Sequence, residues 1–544
     1  MSEPKETGGL TRRRLIQVLG AAGGAGVALG SLEALGLVPD VRQHTRPFRA
    51  PGKSDFHLQG RANGTTVLVL GGGDAGLVAM YELEKAGYRC ELLEARERPG
   101  GRCWTVRGGT KNTDKRGTKQ TAHFADGQYM NAGPARIPQH HTTLDYCREL
   151  GVPIEVFVNA NPEAYVLHDP AEGAKGALTG QAIQRRAAKA DLDGYVAELL
   201  AKSSRQGALD KYLTTDDREA LAEYLRTFGR LSLNDRYAGS ASRGFAEPPG
   251  AANESGEVEA PYALSDLLAS RIGLEFAFDQ EWDQAMPMFQ PVGGMDRLPY
   301  ALSAAIRGQQ RFGAVVSNIE VGNDGVAVTY TDSHGKAWRT RADYCVCTIP
   351  PQVLRSIPHN LGDDVSTALD GLAPAPVGKI GLEFRRRFWE EDNRIFGGIS
   401  NTNLETGTIF YPSYDFHGAR GVVIGYYSYF GSSEQLAALS PKQRADRALE
   451  VGARIHGKAY RDEFESAFSV HWQDQEFSEG GWIEWQEDRT ESAAYRTLLE
   501  PVERLYFAGD HLSQVTAWQH GAIESARYVV TQLHERVLAG SDAR

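Results

Sequence analysis

The sequence predicts an α/β fold built on a parallel sheet, and three stretches carry that prediction. The first is the apolar run Val67 to Leu70, followed by Gly71, Gly73 and Gly76 in G-x-G-x-x-G spacing. Apolar residues at helical spacing come next (Leu77, Met80, Leu83), and a second strand-like run ends in Glu94. Strand, glycine turn, helix and strand, with an acid about 20 residues on, form the pattern of a βαβ dinucleotide-binding unit. The second stretch is Leu505 to His511, a short strand ending at Ala508-Gly509, with Asp510 after it and a helix expected from Gly521. The third is 183–230, where Tyr195, Leu199 and Leu200, then Leu221, Tyr224 and Leu225, recur with helical period and mark a separate lobe.

Each part of the first unit has a physical task. Gly71 permits a tight turn, Gly73 lets backbone N–H groups approach a pyrophosphate, and Gly76 lets the helix pack close to its strand. Asp74 and Ala75 open that helix, whose N-terminus carries the partial positive charge that holds an anion. Glu94 stands where a ribose hydroxyl is expected. The turn that follows, Glu94-Ala95-Arg96 to Pro99-Gly100-Gly101-Arg102, resembles the E-A-x-x-R-x-G-G-R loop of the flavin amine oxidases. The resemblance implies that Ala95, Arg96, Gly101 and Arg102 join the glycine loop in holding FAD. It also implies a two-domain flavoprotein, with a Rossmann-like FAD-binding domain of the GR2 type, a mixed-sheet substrate domain and an inserted helical lobe.

Bulk properties agree with a soluble globular protein. A chain of 544 residues accommodates two or three domains. The charged and hydrophobic fractions, 24% and 41%, are ordinary for a globular protein, and a net charge of −11 gives no support for nucleic-acid binding. The five cysteines fit neither a disulfide framework nor a zinc spacing, and Cys345 and Cys347 read as small buried hydrophobes in a strand. No metal site is expected. At the N-terminus, Arg12-Arg13-Arg14 precedes a weakly apolar run, Val18 to Leu37, which looks like a twin-arginine export signal over 1–38. Six glycines between Gly20 and Gly36 make that run a poor membrane span, although a retained anchor stays open. The expectation is export through the twin-arginine machinery, with 39–63 as a linker.

Further along, 107–119 reads as a loop. Small residues then crowd before Arg136, and Pro134 and Pro138 bracket it. A guanidinium on such stiff backbone suits bidentate capture of a carboxylate, the alternative being a pair with a carboxylate of the protein. The stretch Ala132-Gly133-Pro134-Ala135-Arg136-Ile137-Pro138 resembles the L-amino-acid oxidase segment that packs on the flavin and binds the substrate α-carboxylate through its arginine. Thr142 and Thr143 read as caps for a helix over Leu144–Leu150, and His140 and His141 receive no role. Gly239–Pro261 reads as a loop and Tyr262–Phe278 as helical; in the relatives such an inserted lobe roofs the substrate funnel. Gly293-Gly294-Met295 opens a helix, and strands are expected at Gly313–Val321, Val326–Thr331 and Tyr344–Ile349. By resemblance, the backbone of Val316 meets the adenine end of FAD.

A new sheet is expected from Val377. Lys379 within it is either a surface lysine or, as the family's G-x-K-[IV] strand implies, a buried lysine that reaches flavin N5 through a water and relays protons to oxygen. Phe410-Tyr411-Pro412 matches a tyrosine that donates to the substrate carboxylate in the relatives; the plain alternative is a core aromatic. The resemblance places Trp472 on the flavin and Trp482 beside the substrate side chain. It also puts Gly509, Asp510 and the helix carrying Ile523 on the cofactor, Trp518 as an aromatic wall, and the carbonyl of Ala517 on the substrate amine. Ala517 departs from the glycine found at this place in many relatives. No cysteine lies near the last motif, so FAD is expected to be non-covalent.

The expected domains are 64–106, 286–365 and 496–540 for FAD, 107–168 and 366–495 for substrate, and 169–285 for the helical lobe. The implied activity is oxidation of an L-amino acid by oxygen to a 2-oxo acid, ammonia and hydrogen peroxide. A primary-amine or polyamine oxidase and an amino-acid 2-monooxygenase remain open. The implied partners are a small-molecule substrate and oxygen, with a homodimer among the assemblies that relatives adopt.

Overall fold

A computed structural model describes residues 56–541, apart from 61, 63, 285, 286 and 487. The expected export signal and most of the expected linker lie outside the described residues. The first layer is a parallel sheet of five strands. Its order is Gln309–Arg311, Arg89–Leu93, Thr66–Leu70, Tyr344–Cys347, Leu505–Phe507. A parallel sheet is covered on both faces, which is why its central strands are continuous apolar runs. Strand alternation divides them. Val67 and Val69 pack under the helices Asp74–Lys85 and Gln519–Ser541, while Leu68 and Leu70 pack against a three-stranded antiparallel sheet. That small sheet comprises Val315–Gly322, Gly325–Thr331 and Ala337–Ala342, the last a strand the sequence reading did not separate. Cys345 and Cys347 are buried in the central layer.

A second, mixed sheet has seven strands. Val377–Phe384 lies between Gly421–Tyr429 and Phe464–His471, antiparallel to both, and is buried along its whole length. Beyond Gly421–Tyr429 come Thr408–Phe410, Ile399–Thr402, Tyr165–Leu167 and Ala182–Gln184. One face of this sheet packs on the helix Pro441–His456. The other turns Val377, Phe410, Tyr427 and Tyr429 toward the first sheet. The strand Ala182–Gln184 belongs to this sheet, although its residues fall within the span expected to be helical. Helices proper begin at Arg185–Arg205 and continue with Thr215–Phe228, whose start is fixed by a capping box between Thr214 and Asp217. From Phe278–Gln280 the chain turns back to Pro287–Pro291, paired with Ile154–Val158.

Candidate active site

A cavity of about 510 Å³ runs between the two sheets, within the usual range for small-molecule sites. The glycine loop forms one end. A Cβ at Gly76 would stand 1.9 Å from the Gly71 carbonyl, so the chain's own packing requires glycine there. At Gly73 a Cβ would meet nothing within 4 Å, and the residue faces the cavity. The second glycine therefore keeps space open for whatever enters. Glu94 is fixed at the same wall: its Oε2 accepts from the Gly72 N–H at 2.6 Å and its Oε1 from the Arg96 N–H at 2.8 Å. Asp74 is buried, and burial pushes its carboxyl up to about 7. Its Oδ2 accepts from Gln519 at 3.0 Å, and its Oδ1 has no partner. Gly71, Ala75, Ala95, Gly101, Gly133, Pro134, Ala135, Val316, Gly509 and Asp510 line the same space.

Two arginines tie the sheets together along this wall. Arg96 donates to Ser478 Oγ at 2.9 Å and to the Glu476 carbonyl. Arg102 pairs with the buried carboxylate of Asp510 and donates to the Gly481 carbonyl. The guanidinium and the burial of Asp510 oppose each other, and the carboxyl ends below its ordinary range. An open glycine cradle on a helix N-terminus and a fixed acid at the end of the neighbouring strand suit an elongated dinucleotide with a diphosphate.

The other end of the cavity holds Arg136, 9% exposed. Its guanidinium sits among three rings, 5.3 Å from Phe410, 5.5 Å from Trp518 and 5.7 Å from Phe278. Nη2 donates to Gln284 Oε1 at 3.0 Å, and Nε has no partner. Among the described residues no carboxylate forms an ion pair with it. Burial lowers the guanidinium pKa, partly offset by Tyr429, Tyr427 and Asp283. A buried cation without a counter-ion is unfavourable unless an anion arrives.

Lys379 lines the cavity as well and is buried. Nζ donates to the Gly133 carbonyl and lies 4.3 Å above the Tyr427 ring. Desolvation first, then the neighbouring Arg136 charge, lowers its ammonium to about 7. Trp472 donates from Nε1 to the Ala132 carbonyl at 2.9 Å, which holds its ring at the cavity edge. Trp518 donates to Asp283 Oδ2 at 2.6 Å, and Trp482 to Glu484 Oε2 at 2.9 Å. Ala517 has φ +70, a left-handed conformation that costs a non-glycine residue about 1–2 kcal/mol. Its N–H donates to Asp510 Oδ2 at 3.1 Å, so the motif's own acid holds the turn.

Three expected site residues lie elsewhere. Tyr411 is absent from the lining. Its hydroxyl bonds Ser400 at 2.8 Å and His456 at 2.6 Å, on the far face of the second sheet. Strand alternation gives the inward place to Phe410 instead. Ile523 is in the core of the first layer, and the C-terminal helix begins at Gln519, which with Ala522 lines the cavity. Gly76 acts through the loop it permits. Thr142 is the N-cap of Thr143–Glu149, but its hydroxyl serves His520 and Glu524 rather than the helix. The sequence reading missed Phe278, Asp283, Gln284, Tyr427 and Tyr429. The two tyrosines had a usable signal, an apolar and aromatic strand-like run over Val422–Tyr429 in which Tyr427 and Tyr429 fall on one face; the other three end a lobe read only for its helices.

Comparisons with known proteins agree with this geometry. A family model described as flavin containing amine oxidoreductase matches residues 75–534. The flavin-dependent L-tryptophan oxidase RebO of Lentzea aerocolonigenes is 30% identical over 88% of this chain and 98% of its own. The L-amino-acid oxidase of Bothrops pauloensis is 26% identical over 86% and 89%. Among solved structures, cyclohexylamine oxidase from Brevibacterium oxydans IH-35A shares the fold, with TM-score 0.57 and 16% identity over 87% of this chain and all of that one. A flavin cofactor follows from the matched family, and the chain belongs to the flavin-containing amine oxidoreductases.

Proposed function

We propose that this protein is an FAD-dependent L-amino-acid oxidase that takes substrates with large apolar or aromatic side chains. The observation that carries the reading is the Arg136 guanidinium, buried at the cavity wall without a carboxylate partner among the described residues. A substrate α-carboxylate is the anion that fits it, and a simple amine supplies none. The residues lining the opposite end suit FAD held without a covalent bond, and FAD when bound supplies the acceptor for the substrate hydride and passes the electrons to oxygen. Arg136 fixes the carboxylate, and the Ala517 carbonyl receives the amine, so the Cα substituents take one hand. Trp518, held by Asp283, closes one side. Tyr427, Tyr429, Trp482 and Phe278 supply an aromatic chamber that excludes water. Holding the substrate in one dry orientation supplies most of the acceleration. Lys379 places a titratable ammonium beside the site of oxygen reduction. The twin-arginine-like leader supports export of a protein that folds around its cofactor first.

The test is a screen of L-amino acids and matching amines for bleaching of the flavin band without oxygen, with product analysis in air. The expected result is bleaching by an aromatic L-amino acid, with one peroxide and one ammonia for each 2-oxo acid. Carbon dioxide and an amide in their place would point to a monooxygenase, and bleaching by amines alone to an amine oxidase.

A further inference from the structure

We infer that Gln284 is a second substrate-positioning residue, whose side-chain amide shares the α-carboxylate with Arg136. The inference rests on the amino-acid-oxidase reading above. Gln284 lies at the end of the helical lobe, is buried, and lines the cavity. Its Oε1 accepts two donors, Arg136 Nη2 at 3.0 Å and Asn159 Nδ2 at 3.2 Å. Neither donor can serve an amide nitrogen, so the orientation of the amide is fixed. Nε2 is the free end, and its one contact, Asp283 Oδ1 at 3.4 Å, is long for a hydrogen bond. A buried N–H donor is thus carried on the group that already touches the guanidinium.

The carboxylate needs such a donor. It has about four lone-pair sites, and one guanidinium edge fills two of them. The strand Thr408–Phe410 turns a phenyl ring toward Arg136 and sends the Tyr411 hydroxyl to His456. The rings of Tyr427 and Tyr429 lie against each other, with centroids 4.3 Å apart. Gln284 Nε2 therefore supplies the second kind of contact that the strand does not. Asp283, the residue before it, holds the Trp518 indole, so two consecutive residues set both the acid-binding end and the aromatic wall.

The experiment titrates the holoenzyme with benzoate, an inert carboxylate, and follows the flavin absorption shift; KM for L-phenylalanine and for phenethylamine is measured alongside. Gln284→Ala is expected to weaken benzoate about tenfold and to raise KM for the amino acid about as much, with KM for the amine unchanged. Gln284→Met keeps the side-chain length but removes the amide donor. It is expected to weaken benzoate about as much as the alanine variant and to spare the amine, which a space-filling role would not do, and it serves also if the alanine variant fails to fold. Wild-type benzoate affinity in both variants, or equal losses for acid and amine, overturns the role of Gln284. Arg136→Met separates the two levels: if it binds benzoate as the wild type does, the amino-acid reading itself fails.

Discussion

Arg136 shows how much chemistry a single residue can carry when its surroundings leave it unsatisfied. Three rings and one amide surround it, and none neutralises it. Lys379 is the second such group, and its lowered pKa has a kinetic consequence. It is an ammonium below about 7 and neutral above. Oxygen gains negative charge as it is reduced, which an adjacent cation stabilises. The rate at which oxygen reoxidises the reduced enzyme is therefore expected to fall as pH rises through about 7. Lys379→Met is expected to lose that slope and to slow reoxidation at pH 6 by about tenfold or more, with anaerobic reduction by substrate little changed; stopped-flow absorbance separates the two half-reactions. Ala517 carries strain of another kind. Ala517→Gly relieves the φ +70 conformation and is expected to raise stability by about 1 kcal/mol, read as a higher Tm of the holoenzyme.

At the scale of elements, the glycine loop separates folding from binding. Gly76→Ala drives a Cβ onto the Gly71 carbonyl and is expected to destabilise the loop and the fold around it. Gly73→Ala meets no protein atom and is expected to leave the apoprotein as stable as the wild type while weakening FAD at least tenfold, measured by flavin fluorescence on titration. This unit was legible because its function is written in local backbone demands: a turn, an approach, a close crossing. The strand that faces Arg136 was not. Thr408–Phe410 is short, and its pairing with Gly421–Tyr429 shifts between Thr408 and Phe410. A one-residue shift exchanges the two faces, so Phe410 rather than Tyr411 meets Arg136. Lys379 was legible as a position, and its burial followed from pairing on both sides of its strand.

Over the whole molecule, the cavity is the seam between two sheets, and the cofactor's wall is built from both. Arg96 and Arg102 reach from the first layer to Glu476, Ser478 and Gly481 beside the second, and Trp472 reaches back to Ala132. On the proposed reading FAD fills that seam and binds the native state alone, so a thousandfold excess over its Kd is expected to add about 4 kcal/mol to stability. Calorimetry of apo and holo protein should show the corresponding rise in Tm, and equal values would place the cofactor outside the seam. Composition revealed that a helical lobe existed. It did not reveal that Phe278 and Gln284, near the lobe's end, reach the cavity, because that contact joins segments far apart in sequence and depends on the strand Pro287–Pro291 returning beside Ile154–Val158.

The central claim is that a fixed guanidinium makes this flavin site select an amino acid. The most direct measurement compares kcat/KM for L-phenylalanine and phenethylamine in the wild type and in Arg136→Met. The account predicts a loss of about hundredfold or more for the amino acid, with the amine nearly unaffected. A fall by the same factor for both substrates would contradict it.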